Sequence, residues 1–160
     1  MISINREHDC PLVLNVSTLK DIYLEGISFH RCCLNNLNFS GSVLNNIDCR
    51  SAEINRAMFI GTSLNKCQFI MIVSKEACYD MCSFAGTLLL HSDFEGSSFR
   101  GADLSKGVIR ETIFRNCDLR GANLDCEGLE TCDIEGALYD NTTIWHKTYN
   151  VTEHGGIKIE

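Results

Sequence analysis

The sequence predicts an all-β solenoid, and three observations carry that reading. Bulky apolar residues recur every five positions through Phe94, Phe99, Leu104, Ile109, Phe114, Leu119 and Leu124. Small residues precede them by two, at Ser97, Ala102, Gly107, Thr112, Cys117 and Ala122. Turn formers follow them by two, at Gly96, Gly101, Asn116 and Gly121. A period of five is neither the 3.6 of a helix nor the 2.0 of a strand. Self-similarity at a fixed period is the signature of a stacked repeat.

The same frame extends without insertion from Leu14 to Ile144, which makes 27 central positions. Ser74 is the one plainly polar residue among them, and all eight phenylalanines of the chain are centres. In extended backbone, residues two apart point to the same side. Each unit therefore aims one small and one large side chain at a common interior, and Gly or Asn then tolerates the backbone of a corner. Two residues sit badly in the frame. Ser74 is a small polar centre between Ile54 and Phe94, and Glu127 puts a carboxylate at an inward small position, where burial without a partner is costly. Either is expected to mark a bulge, and Glu127, near the last coil, is expected to be partly exposed.

The segments SFRGADLS, IFRNCDLRGANL and IEGALYDNTTIW resemble the repeats of the pentapeptide-repeat proteins, whose loose consensus is A(D/N)LXX. The resemblance covers roughly residues 12–146. It implies a right-handed quadrilateral parallel β-helix with four pentapeptides per coil, hence about 6–7 coils here. Residues twenty apart should then stack, at about 4.8 Å per coil, in a rod roughly 30 Å long. One side would carry Leu19, Phe39, Phe59, Tyr79, Phe99, Leu119 and Tyr139, with four consecutive aromatics as an internal ladder. Residues 1–11 and 147–160 are expected to cap the unpaired edges of the end coils. Trp145 would close the last coil, and Gly155-Gly156 would let Ile157 and Ile159 fold back. Some members of the family dimerise through C-terminal helices, but Thr148, Val151, Thr152 and two glycines make this tail a poor helix.

The chain's 160 residues suit one domain. No apolar run approaches the length needed to span a bilayer, and Arg6, Glu7 and Asp9 interrupt the N-terminus before a signal peptide could develop. A cytoplasmic protein is expected. The net charge of −7 is unevenly placed: residues 1–75 hold six acids and seven bases, and residues 76–140 hold thirteen acids and five bases. Asp125, Glu127, Glu130, Asp133, Glu135 and Asp140 fall within 121–140, which contains no base. Direct nucleic-acid binding is disfavoured, because it needs Lys or Arg to neutralise phosphates. An acidic end serves solubility or basic partners.

None of the ten cysteines has a partner twenty residues away, so stacked coils offer no disulfide. Cys32, Cys49, Cys67, Cys82, Cys117 and Cys132 fall at inward positions, where a thiol behaves as a small hydrophobe. There is no CxxC or HxxxH pair for a metal, no phosphate-binding glycine motif and no recognisable catalytic constellation. Asp93, Asp103, Asp118, Asn123 and Asp133, just ahead of centres, point outward as consensus positions. Neither a cofactor nor an enzymatic activity is expected.

The informative feature faces outward. Residues flanking a centre should be polar, yet Ile70 and Met71, Leu88 and Leu90, and Val108 break that rule in successive coils, with Val73 and Ile113 around the adjacent corner. A contiguous apolar patch marks an interface. These seven residues are the candidate protein-interaction site, for a partner of unknown identity or a second copy of the chain. The first functional expectation is a non-catalytic interaction scaffold with an apolar side and an acidic C-terminal end. The alternative comes from the resemblance: some pentapeptide-repeat proteins mimic duplex DNA, bind a type II topoisomerase (DNA gyrase) and protect it from inhibitors.

Overall fold

Extended segments of the chain bond to the segments twenty residues away, and this spacing organises the computed structural model, which describes residues 1–160. Parallel bridges run Tyr23↔Val43↔Ser63↔Ser83↔Asp103↔Asn123 on one side and Asn38↔Met58↔Cys78↔Ser98↔Asp118↔Leu138 on another. A third side runs Cys33↔Glu53↔Val73↔Asp93↔Ile113↔Asp133. The fourth runs Ser28↔Asp48↔Gln68 and on through Leu88 and Val108 to Glu127. Centre N–H groups close the rungs: Phe59 donates to the Cys78 carbonyl at 2.8 Å and Tyr79 to that of Ser98 at 2.7 Å.

Most units are single bridges, and the longer strands are few. They are β1 (Ile2–Ile4), β2 (Leu12–Leu14), β3 (Gln68–Ile70), β4 (Leu88–Leu90), β5 (Val108–Arg110), β6 (Asn123–Leu124), β7 (Leu138–Tyr139), β8 (Ile144–Trp145) and β9 (Ile157–Lys158). Short 3-10 turns at Leu129–Thr131 and Val151–His154 are the only helical elements, and no helix is long and apolar enough to cross a membrane.

The interior follows the five-residue frame. Phe39, Phe59, Tyr79 and Phe99 stack with centroids 5.1, 5.0 and 5.0 Å apart, as the four-unit coil implied by the resemblance expects, and Phe94 stacks on Phe114 at 5.5 Å. The small inward position has a second duty that spacing alone does not reveal. Its hydroxyl or thiol donates to the carbonyl of a centre 23 residues back: Thr62 to Phe39 (2.8 Å), Thr87 to Leu64 (2.6 Å), Ser97 to Ser74 (2.7 Å), and the thiols of Cys67 to Leu44 (3.0 Å) and Cys117 to Phe94 (3.0 Å). A hydroxyl or thiol at this position is thereby paired, as a buried polar group must be, while Ala52, Ala77, Ala102 and Ala122 fill the same position in other units without one.

The consensus Asp or Asn ahead of a centre is equally structural. Its side-chain oxygen accepts the backbone N–H two residues on, at Asp48, Asp93, Asp103, Asn123 and Asp133. This local turn competes with the ladder for that N–H. No Asp or Asn precedes Phe69, Leu89 or Ile109. The pairing lengthens there into β3, β4 and β5.

Ser74 and Ile144 depart from expectation, while Glu127 is exposed as expected at a local irregularity. Ser74 makes no bulge: its N–H continues the ladder to Asp93 (2.7 Å), and its hydroxyl lies 2.7 Å from that of Tyr79. Glu127 is exposed and not inward, because the register slips by one residue and pairs Val108 with Glu127, nineteen apart. Cys126 turns inward instead, Gly128 passes through φ 85°, and the turn at Leu129–Thr131 buries Leu129 before the twenty-residue register resumes. Ile144 is 53% exposed and not a centre, because the loop at 140–143 adds one residue and pairs Asn123 with Ile144 and Leu124 with Trp145.

The ends differ from the shaft. At the C-terminal end β9 lies parallel on β7, and Trp145 packs edge-on to Tyr139 and stacks on Tyr149. At the N-terminal end β1 runs antiparallel to β2, and Arg6 bridges Cys32.

Candidate protein-binding face

Strands β3, β4 and β5 form the one three-stranded sheet of the rod. Their middle residues Phe69, Leu89 and Ile109 are fully buried, which turns the flanking residues outward. One outer row is Gln68, Leu88 and Val108, and the other is Ile70, Leu90 and Arg110. Ile70, Leu88, Leu90 and Val108 thus adjoin across neighbouring rungs, each half-buried.

The other three predicted residues are placed less simply. Met71 occupies the corner beside Ile70, at φ 54° and 59% exposed. Val73 and Ile113 lie on the adjoining side, and Asp93 stands between them in the ladder. Asp93 is held by the Lys75 ammonium at 3.0 Å, so the two apolar residues do not merge into one patch. The structure brings four of the seven together, sets Met71 at their margin, and leaves Val73 and Ile113 apart. Sequence reasoning omitted Gln68 and Arg110, which complete the two rows; the twenty-residue spacing from Leu88 and Leu90 is the signal that finds them.

Polar groups border the face. Toward the N-terminal end the Arg50 guanidinium bonds Asp48 at 2.8 Å and holds its carboxyl below the usual range. Across the corner His91 faces Glu111 at 3.1 Å. Toward the C-terminal end the slipped register presents Glu127 and Glu130, both exposed, and seats Gly128 against the Arg110 side chain.

Elsewhere acids and bases interleave along the rod. Arg115 meets Asp133 at 2.6 Å, Arg100 and Arg120 both meet Asp118, and Lys75 meets Glu95 as well as Asp93. Arg120 holds the Asp118 carboxyl below its ordinary range. Carboxylates without a cationic partner gather at the C-terminal end, at Asp125, Glu127, Glu130 and Glu135.

The cysteines are all free. Desolvation pushes the thiols of Cys67, Cys82, Cys117 and Cys126 up to about 12 and that of Cys132 to about 11. Thiols buried in this way stay protonated at neutral pH and pack as small hydrophobes. No three His, Cys, Asp or Glu side chains come together as a metal site.

The family model described as Pentapeptide repeats matches the chain in eight copies, over residues 32–69 and 82–116. No curated protein matches it. Among solved structures the fold is similar to HetL, a pentapeptide repeat protein involved in heterocyst differentiation regulation from the cyanobacterium Nostoc sp. strain PCC 7120. That likeness has a TM-score of 0.63 at 20% identity and covers 82% of this chain and 59% of HetL, so this chain spans less than two thirds of its length. A trypsin-treated form of QnrB1, a plasmid-mediated fluoroquinolone resistance protein, matches at a TM-score of 0.44 and 12% identity, over 89% of this chain and 84% of QnrB1.

Proposed function

We propose that this chain, a pentapeptide-repeat protein, is a non-catalytic scaffold that binds a protein partner through the face of β3–β5. The observation that carries the reading is the adjacency of Ile70, Leu88, Leu90 and Val108 on that sheet. Four large apolar side chains on a rigid, fully paired backbone present an interface core without the ordering cost of a loop. The charged border at Asp48–Arg50, Arg110, Glu127 and Glu130 supplies the polar rim such interfaces carry. On this reading the rod is a right-handed quadrilateral β-helix of about six to seven coils, the form its family resemblance implies. Ten free thiols suit a reducing compartment, and the cytoplasm is the setting this reading takes.

The test is a parallel affinity capture from cells that make the protein, with the native chain and the Leu90→Asp/Val108→Asp double variant as baits. A partner retained by the native chain and lost by the variant supports the face. Capture of the same proteins by both baits removes it.

The topoisomerase reading draws support from the acidic C-terminal end. Against it stand the arginines and lysine that pair Asp118, Asp133, Asp93 and Glu95, since a duplex mimic needs uninterrupted negative charge. A supercoiling assay with gyrase and a quinolone separates the two readings. Protection from the drug at micromolar protein would favour the mimic.

A further inference from the structure

The N-terminal strand stands apart from the rest of the rod. Along Ile2–Ile4 it pairs antiparallel with β2. Along Asn5–Glu7 it pairs antiparallel with Arg31–Cys33: the Cys33 N–H donates to the Asn5 carbonyl at 2.9 Å, and the Glu7 N–H to the Arg31 carbonyl at 2.9 Å. Every other pairing in the protein is parallel. β2 lies twenty residues ahead of Cys32–Leu34, so the repeat register would stack those two segments directly. Residues 2–7 take that edge instead. The first coil therefore offers a slot for an extended antiparallel segment, and the chain fills it with its own N-terminus.

Three features make the filling exchangeable. Only His8–Pro11, four exposed residues, tether the strand to β2. Within that tether His8 is held at φ 57°, a left-handed conformation that L residues adopt at a cost. Pro11 biases Cys10 toward extended backbone, against a tight reversal. The seat is also imperfect. The Arg6 Nε is buried with no hydrogen-bond partner, and hollows of about 170 and 300 Å³ flank the Arg6 side chain.

The geometry points to strand exchange between two copies of this chain: residues 2–7 of one copy occupy the slot of the other and form a swapped dimer. A second copy is the occupant the slot fits. Its Ile4 fills the place where Ile4 is 2% exposed, and its Arg6 Nη2 donates to the Ser28 carbonyl, as in the closed chain at 3.0 Å. Exchange then requires that the hinge open, which releases the left-handed turn at His8 and loosens the Arg6–Asp9 contact across the tether. This surface is separate from the β3–β5 face, and neither depends on the other.

Ser3 and Val13 lie directly opposite in the β1–β2 pair and both face outward, within disulfide reach for antiparallel neighbours. The test places Ser3→Cys and Val13→Cys in a chain that also carries Cys10→Ser and Cys33→Ser. The protein is refolded from denaturant at rising concentration, oxidised, and run on a non-reducing gel. Exchange predicts a covalent dimer whose share grows with concentration. An exclusively intramolecular disulfide at every concentration would overturn the proposal. His8→Gly, which relaxes the closed hinge, should weaken the dimer by roughly tenfold or more. An unchanged dimer in that variant would equally remove hinge-driven exchange.

Discussion

The Ser74 hydroxyl lies 2.7 Å from the Tyr79 hydroxyl, with both side chains fully buried in the middle of the rod. Tyr79 stands in a ladder otherwise made of Phe39, Phe59 and Phe99, so its phenol is the one polar group among those four stacked rings. A buried hydroxyl needs a partner, and Ser74 supplies it from the neighbouring centre. The two departures from the apolar repeat are thus a matched pair.

Removing Ser74 alone should be the costlier change. Ser74→Ala strands the Tyr79 hydroxyl and is expected to cost about 1–3 kcal/mol, the penalty of an unsatisfied buried group. Tyr79→Phe leaves Ser74 within 3.4 Å of the Ile54 carbonyl and should cost less. The double variant should be more stable than Ser74→Ala. A double-mutant cycle by urea denaturation checks this, and purely additive effects would deny the coupling.

Gly128 makes a sharper demand than the corner glycines. At φ 85° beneath the face, a Cβ there would collide with the Ile109 carbonyl oxygen and the Arg110 side chain. Gly26, at φ 67°, has open space around it. Gly26→Ala should therefore cost about 1–2 kcal/mol from backbone conformation alone, and Gly128→Ala about 3 kcal/mol or more because packing must shift as well. Thermal melts of the two variants give the comparison.

Stability should fall in base. The folded chain holds the protons of Cys67, Cys82, Cys117 and Cys126 up to about 12, whereas an unfolded thiol releases its proton near ~8.5. Above that value the folded state binds more protons than the unfolded state, so stability declines as pH rises. It is fully present below the unfolded value and is lost progressively toward 12. Urea midpoints measured under reducing conditions from neutral pH to about 11 should show the fall. Cys67→Thr with Cys82→Thr should flatten it, because Thr62 and Thr87 already serve the same inward role.

How much of this was legible in the sequence depended on the kind of constraint. The shaft was, because steric filling repeats every five residues: the outward turn of Ile70, Leu88, Leu90 and Val108 follows from counting, and the Phe39–Phe99 column follows once the family resemblance supplies four units per coil. Hydrogen-bonding duties were not. The thiol of Cys117 reaching the Phe94 carbonyl, and the Asp93 carboxylate capturing the Glu95 N–H, depend on geometry that composition does not encode. Register slips were legible only in part: Glu127 stood out as misplaced in the frame, but not which residue would take its place. Cys126 and Glu127 exchange roles because Gly128 can turn, and a glycine in this chain otherwise signals an ordinary corner. Likewise Ile144 and Trp145 are both apolar, and only the loop length at 140–143 decides which one faces in.

The central claim is that Ile70, Leu88, Leu90 and Val108 form a binding surface. Its most direct test is the affinity of a captured partner for the native chain and for Leu90→Asp/Val108→Asp, with matched thermal melts to show that both are folded. Carboxylates desolvated at an interface core without counter-charges are expected to weaken binding at least ~100-fold, the scale of interface hot spots. Equal affinity for two equally folded chains would contradict the account.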